Sequence, residues 1–148
     1  GEGRRKMRVL IVEDEKMQAE HVASAVEACG FECDVEMTRK GGCMKLLKGN
    51  YDIAFIDIRL GDDDGKDIIH SARLRGVQTY LIVLSSFASQ GEKHAAFSMG
   101  ADDFLTKPIT DIDQLEQRVA KAIADAASAA RIVFIRIETS LFCGVHGE

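Results

Sequence analysis

Four apolar runs of this 148-residue chain end in residues that can do chemistry: Glu13-Asp14, Asp57, Ser85 and Lys107-Pro108. The runs before them are β-branched and read as buried strands. If those strands lie parallel and side by side, three carboxylates, a hydroxyl and an ammonium meet at one sheet edge, where open α/β folds build their sites. Carboxylates brought that close repel and raise one another's pKa, so the cluster calls for a cation. Magnesium suits it, because it prefers hard oxygen ligands, often one or two carboxylates with waters and a phosphate oxygen. The chemistry that fits is transfer of a phosphoryl group to a carboxylate, with a metal ion holding the charge. Each residue alone also has a plainer role. Glu13-Asp14 could open the helix that begins near Lys16, Asp57 could cap its loop, and Ser85 could be a polar strand end. The ordered set, each member closing a strand, carries the weight.

The elements that must position these residues alternate. Strands are expected at Arg8 to Val12, Glu32 to Met37, Ile53 to Asp57, Thr79 to Ser85 and Asp103 to Thr106. Helices are expected at Lys16 to Cys29, Lys40 to Leu47, Lys66 to Leu74, Gly91 to Met99 and Asp111 to Ala129. Such alternation is the signature of βα units and of a parallel sheet covered on both faces. In the first helix Met17, Val22, Val26 and Cys29 are read as the apolar stripe, with Gly30 as the stop. In the second, Gly41 and Gly42 each cost about 1 kcal/mol relative to Ala, so an irregular first turn is expected. Asp111 is a suitable N-cap for the last. Beyond it, Val133, Ile135, Ile137 and Leu141 share one face at period two and suggest a sixth strand in residues 131–148, which could begin an output region or pair with another chain, the alternative being that the helix simply continues.

Composition narrows the class. A hydrophobic fraction of 46% with 29% charged residues is that of a globular domain. The net charge of -5 argues against nucleic-acid binding by this piece and for protein partners. Cys29, Cys33, Cys43 and Cys143 lack the paired short spacing of a zinc site, and reduced thiols in a cytoplasm are expected. No apolar run approaches the roughly 20 residues of a membrane span. Residues 1–6 are charged and Gly-rich and are read as a tail or an expression remnant, with Met7 near the natural start.

Taken in order, Glu13-Asp14, Asp57, Ser85 and Lys107-Pro108, together with the Gly100-Ala-Asp-Asp-Phe104 turn, resemble the receiver domain of bacterial two-component response regulators over residues 7–130. The resemblance implies a flavodoxin-like fold: a doubly wound five-stranded parallel sheet of order 2-1-3-4-5 flanked by five helices. It makes Asp57 the phosphoacceptor, Asp14 a direct magnesium ligand and Glu13 the acid that holds metal-bound water. Arg59 would ligate through its backbone carbonyl, and manganese could replace magnesium. Lys107 would pair with Asp57 and then with a phosphoryl oxygen, and a cis bond to Pro108 would turn it into the site. Ser85 and Phe104 would be the switch pair that carries phosphorylation to the face of helix four, strand five and helix five. The expected donor is a histidine kinase or histidine phosphotransfer protein, with a homodimer as a further partner and no direct contact with nucleic acid or membrane. The expected product is a phosphoacceptor signalling domain, not an enzyme.

The sequence departs from the family at Gly61, where many receivers have proline, and a looser loop is expected there. Arg59 and Phe87 border the phosphoryl pocket and are bulky, so slow loss of the phosphoryl group to water is expected.

Overall fold

The computed structural model describes residues 7–61, 63–107 and 111–128. In chain order it runs β1 (Val9–Val12), α1 (Lys16–Ala28), β2 (Cys33–Glu36), α2 (Arg39–Lys48), β3 (Ile53–Asp57), α3 (Lys66–Leu74), β4 (Tyr80–Ser85), α4 (Gln90–Met99) and β5 (Asp103–Thr106). A fifth helix, α5, covers residues 112–128. The five strands are all parallel, in the order β2-β1-β3-β4-β5. Apart from this sheet, Arg59–Leu60 and Asp63–Asp64 form a two-residue antiparallel ladder between β3 and α3.

Side chains alternate across a strand, so each strand feeds both faces of the sheet. Leu10, Val12, Ala54, Ile56, Leu81 and Val83 pack with Leu46, Ile68, Ile69, Ala72 and Ala96 of α2, α3 and α4. Val9, Ile11, Ile53, Phe55, Ile82 and Leu84 pack with Val22, Ala25 and Val26 of α1 and with Leu115, Val119 and Ala122 of α5. Burial on both sides explains why the strands read as continuous apolar runs rather than as alternating ones.

The register sets the site. Val12 lies opposite Ile56, Asp57 opposite Leu84, and Ser85 opposite Thr106. Glu13, Asp57, Ser85 and Lys107 therefore emerge together at the carboxyl edge of the three central strands and β5. The Asp111 cap is observed, its Oδ1 accepting from Gln114 N at 3.1 Å.

Two local expectations are corrected. Met17 is 62% exposed, and α1 buries Ala19, Val22, Ala25 and Val26 instead. Five positions separate Met17 from Val22, which puts them about 140° apart round a helix of 3.6 residues per turn. The first turn of α2 is regular, with the Thr38 hydroxyl accepting from Gly41 N at 3.0 Å. Gly42 lies on Val12, and a Cβ there would come within 2.6 Å of Val12 Cγ1. The lost helix propensity is the cost of letting α2 approach β1 closely.

Arg73, at the end of α3, had no signal in the sequence. Its guanidinium donates to the carbonyls of Gly100, Val77 and Thr79 at 2.7–2.9 Å and pairs with Asp102 at 2.8 Å. It joins α3 to the corner between α4 and β5. The suggested strand in 131–148, the tail at 1–6 and the Pro108 peptide bond lie outside the described residues.

Candidate functional site

Asp57 ends β3 at 3% exposure, and Glu13, the residue after β1, is fully buried. Lys107, the residue after β5, places its ammonium 3.0 Å from Asp57 Oδ2 and 2.8 Å from Glu13 Oε2. The other Asp57 oxygen, Oδ1, accepts from Arg59 N at 3.0 Å. Asp14 is exposed, and its Oδ2 accepts from Gly61 N at 2.7 Å. Carboxylate oxygens of Glu13, Asp14 and Asp57 all lie within 4.8 Å of one another. The strand ends thus bring together the acids and the lysine that the sequence singled out.

The electrostatics show what the cluster lacks. Burial, then a hydrogen bond to Asp57 and the Asp57 charge, push Glu13 up to about 8 despite the opposing pull of Lys107. Burial works against the charge of Lys107, but its bonds to Glu13 and Asp57 outweigh burial and hold its pKa above the ordinary value. Glu13 Oε2 is close to the ammonium yet has no well-directed hydrogen bond. Burial and the neighbouring Asp57 charge thus favour the protonated form of Glu13.

That gives a pH dependence with a definite sign. The folded-state pKa of Glu13, about 8, lies above its ordinary 4.5, so the folded protein holds a proton that the unfolded chain releases. This contribution is full below pH 4.5 and is lost as pH rises toward 8. Calorimetry on metal-free protein should show the melting temperature falling across that window, with Glu13→Gln flattening the slope. Magnesium favours the charged carboxylate, so its affinity should tighten over the same window.

The donor set fits magnesium or manganese: clustered hard oxygens, those of Glu13 and Asp57 buried, with no thiol or imidazole among them. Asp14 and Asp57 could hold the ion directly, Glu13 through water, and Arg59 through its carbonyl.

A pocket of about 190 Å³ opens over Asp57, lined by Asp14, Arg59, Ser85, Ser86, Phe87 and Lys107 among others. Ser85 is 2% exposed, and its hydroxyl accepts from Phe87 N at 3.0 Å and donates to Phe87 O at 3.2 Å. Phe104 is 7% exposed in the core on the α2–α4 side, with Lys93 Nζ 6.0 Å from its ring centre. It lines the sheet rather than the pocket. Arg59 lies over the Phe87 ring, its Cζ 4.9 Å from the centre.

Gly61 corrects another expectation. Its φ of +62° is closed to proline, and its N–H, which proline lacks, orients Asp14. The departure that suggested a looser loop supplies a bond that holds the Asp14 carboxylate.

Comparison with known proteins agrees with this geometry. A family model described as the response regulator receiver domain matches residues 9–120. Transcriptional regulatory protein DltR of Streptococcus agalactiae is 33% identical over 113 residues, which cover 76% of this chain and 50% of that protein. Transcriptional regulatory protein PmrA of Pectobacterium parmentieri is 30% identical over 117 residues, 79% of this chain and 52% of that one. The chain spans about half the length of these curated relatives. Among solved structures, the receiver domain of the Francisella response regulator 1452 matches with a TM-score of 0.71 at 30% identity, covering 79% of this chain and 96% of that one. The signal receiver domain of a putative Luxo repressor protein from Vibrio parahaemolyticus matches with a TM-score of 0.77 over 86% and 98% of the two chains, and at 23% identity it shows the fold alone. The chain belongs to the response regulator receiver domain family, whose general function is to accept a phosphoryl group.

Proposed function

We propose that Asp57 accepts a phosphoryl group from a histidine kinase or histidine phosphotransfer protein, with magnesium bound beside it. The observation that carries this reading is Lys107 held between Asp57 and Glu13 at 3.0 and 2.8 Å, with Asp14 in the same carboxylate cluster. An Asp57 carboxylate oxygen attacks phosphorus, the bond from phosphorus to the donor nitrogen breaks, and the electron pair leaves with the imidazole. When bound, the metal neutralises charge on the carboxylates and on the transferred oxygens. Arg59 N keeps Asp57 oriented, Gly61 N keeps Asp14 oriented, and Lys107 turns from the carboxylates to a phosphoryl oxygen. Catalysis of this kind is mostly positioning and charge stabilisation.

The Ser85 hydroxyl then moves to the phosphoryl group, Phe104 follows, and the change reaches the face formed by α4, β5 and α5. Phe97, Met99 and Ile112 are exposed apolar residues of α4 and α5 available to a partner or a second copy. Residues 7–130 form the receiver unit in this reading, 131–148 an extension, and the compartment is the cytoplasm. Among the described residues no helix is long and apolar enough to cross a membrane.

Intact-mass spectrometry after incubation with a small acyl phosphate and magnesium tests the reading. One phosphate adduct is expected, absent from Asp57→Asn and from metal-free protein. A metal-independent adduct, or none on folded protein, would refute it. A second expectation concerns lifetime: the Arg59→Ala/Phe87→Ala double variant should lose its phosphate several-fold faster than wild type, because the two side chains crowd the approach of water.

A further inference from the structure

The Ser85 hydroxyl has one proton, and in this structure it goes to the Phe87 carbonyl while the Phe87 N–H occupies the oxygen. Those two bonds fold the segment after β4 back on itself and hold the Phe87 ring where Arg59 rests on it, 4.9 Å from its centre. Both side chains line the pocket over Asp57, Arg59 is exposed, and Phe87 is 52% exposed. From these contacts we infer that Arg59 has two positions: parked on Phe87 in the unphosphorylated protein, and turned to the phosphoryl oxygens once Asp57 is modified. Phe87 is the positioning residue that holds the guanidinium in reserve. The inference rests on the phosphoacceptor reading of Asp57.

The coupling follows from hydrogen-bond capacity. A serine hydroxyl that donates to a phosphoryl oxygen has no proton left for the Phe87 carbonyl. The turn loses one of its two closing bonds, the ring is freed, and the guanidinium loses its aromatic partner as an anion with acceptor oxygens arrives within the same pocket. An exposed cation–π contact shifts a population only about 2- to 5-fold, whereas a guanidinium–phosphoryl pair is charge-assisted, so the exchange favours the pocket. It also explains how a long cationic side chain two residues from the acceptor is kept off the Asp57 carboxylate beforehand. Arg59 Nη and Asp57 would otherwise pair and compete with Lys107.

The chain contains no tryptophan, so Phe87→Trp introduces a single tryptophan at the contact, excited apart from the two tyrosines, and keeps an aromatic face for Arg59. The protein is incubated with acetyl phosphate and magnesium, and fluorescence, acrylamide quenching and intact mass are read on the same sample. Acetate leaves as the Asp57–phosphorus bond forms. The expected result is a red-shifted emission and about a 2-fold rise in quenching that track the fraction of adduct. Arg59→Ala/Phe87→Trp and Ser85→Ala/Phe87→Trp should show the released spectrum from the outset and change little. Full adduct with an unchanged spectrum would overturn the two-position arginine alone. So would a full spectral change in either double variant. No adduct in Phe87→Trp and none in folded wild type would overturn the phosphoacceptor reading and this inference with it. An adduct in wild type alone would overturn this inference, since the tryptophan keeps the aromatic face the arginine needs.

Discussion

Replacing Lys107 with methionine is expected to destabilise the metal-free protein by about 3 kcal/mol at about pH 9.5, and by clearly less at pH 6. Methionine keeps most of the volume of the lysine stem, so the change isolates the ammonium. That ammonium is the counter-charge of a fully buried Glu13 and a 3% exposed Asp57. Without it, the pull that lowers Glu13 is gone, and Glu13 must hold its proton to a pH above the wild-type value of about 8. At pH 6 the proton is already bound in both proteins and the difference narrows. Urea unfolding at both pH values, with and without magnesium, checks this, and magnesium should restore part of the loss. The same variant should accept phosphate about 100- to 1000-fold more slowly, the scale expected for losing one preorganised donor to a developing anion. An equal cost at both pH values would show that the lysine is there for packing rather than charge.

Gly65→Ala is expected to be at least as damaging, at about 3 kcal/mol or more, for a purely steric reason. A Cβ at this position would overlap the Asp57 carbonyl oxygen and lie 3.0 Å from the Asp57 carbonyl carbon and 3.1 Å from Ile58 Cα. All three are backbone atoms, so no side chain can turn away. Relief requires moving either the start of α3 or the end of β3, which carries the acceptor. The folded fraction should therefore also take phosphate poorly. Gly61→Ala is the control: it has open space and only its φ of +62° to oppose a side chain, so about 1 to 2 kcal/mol is expected, with the N–H to Asp14 retained. If the two alanines cost the same, the close approach at Gly65 does not constrain the strand end.

Strands such as Ile53–Asp57 were legible because burial on both faces leaves an uninterrupted apolar run, and the site was legible because each functional residue closes such a run. The order of the strands followed from the family resemblance that Glu13, Asp57, Ser85 and Lys107 carry as an ordered set, and the shared edge from each of them closing a strand. What stayed hidden depends on contacts between segments with no periodicity. Met17 was placed on the wrong side of α1 because apolarity was weighed above helical phase, and the alanines that do face the sheet carry a weak signal. Gly42 looked like a flaw in α2 until Val12 was seen beneath it. Gly61 looked like slack until its amide was found on Asp14. The Arg73 staple and the Arg59–Phe87 pair join loops far apart in the chain, and no spacing rule announces them.

The most direct test of the account is to locate the phosphate. After reaction with acetyl phosphate and magnesium, borohydride reduces an aspartyl phosphate to homoserine, and peptide mapping by mass spectrometry reads its position. Homoserine at residue 57 alone, and nowhere in Asp57→Asn, is the predicted result. Homoserine at residue 14 instead, or a reduced glutamyl group at Glu13 with Asp57 untouched, would contradict it.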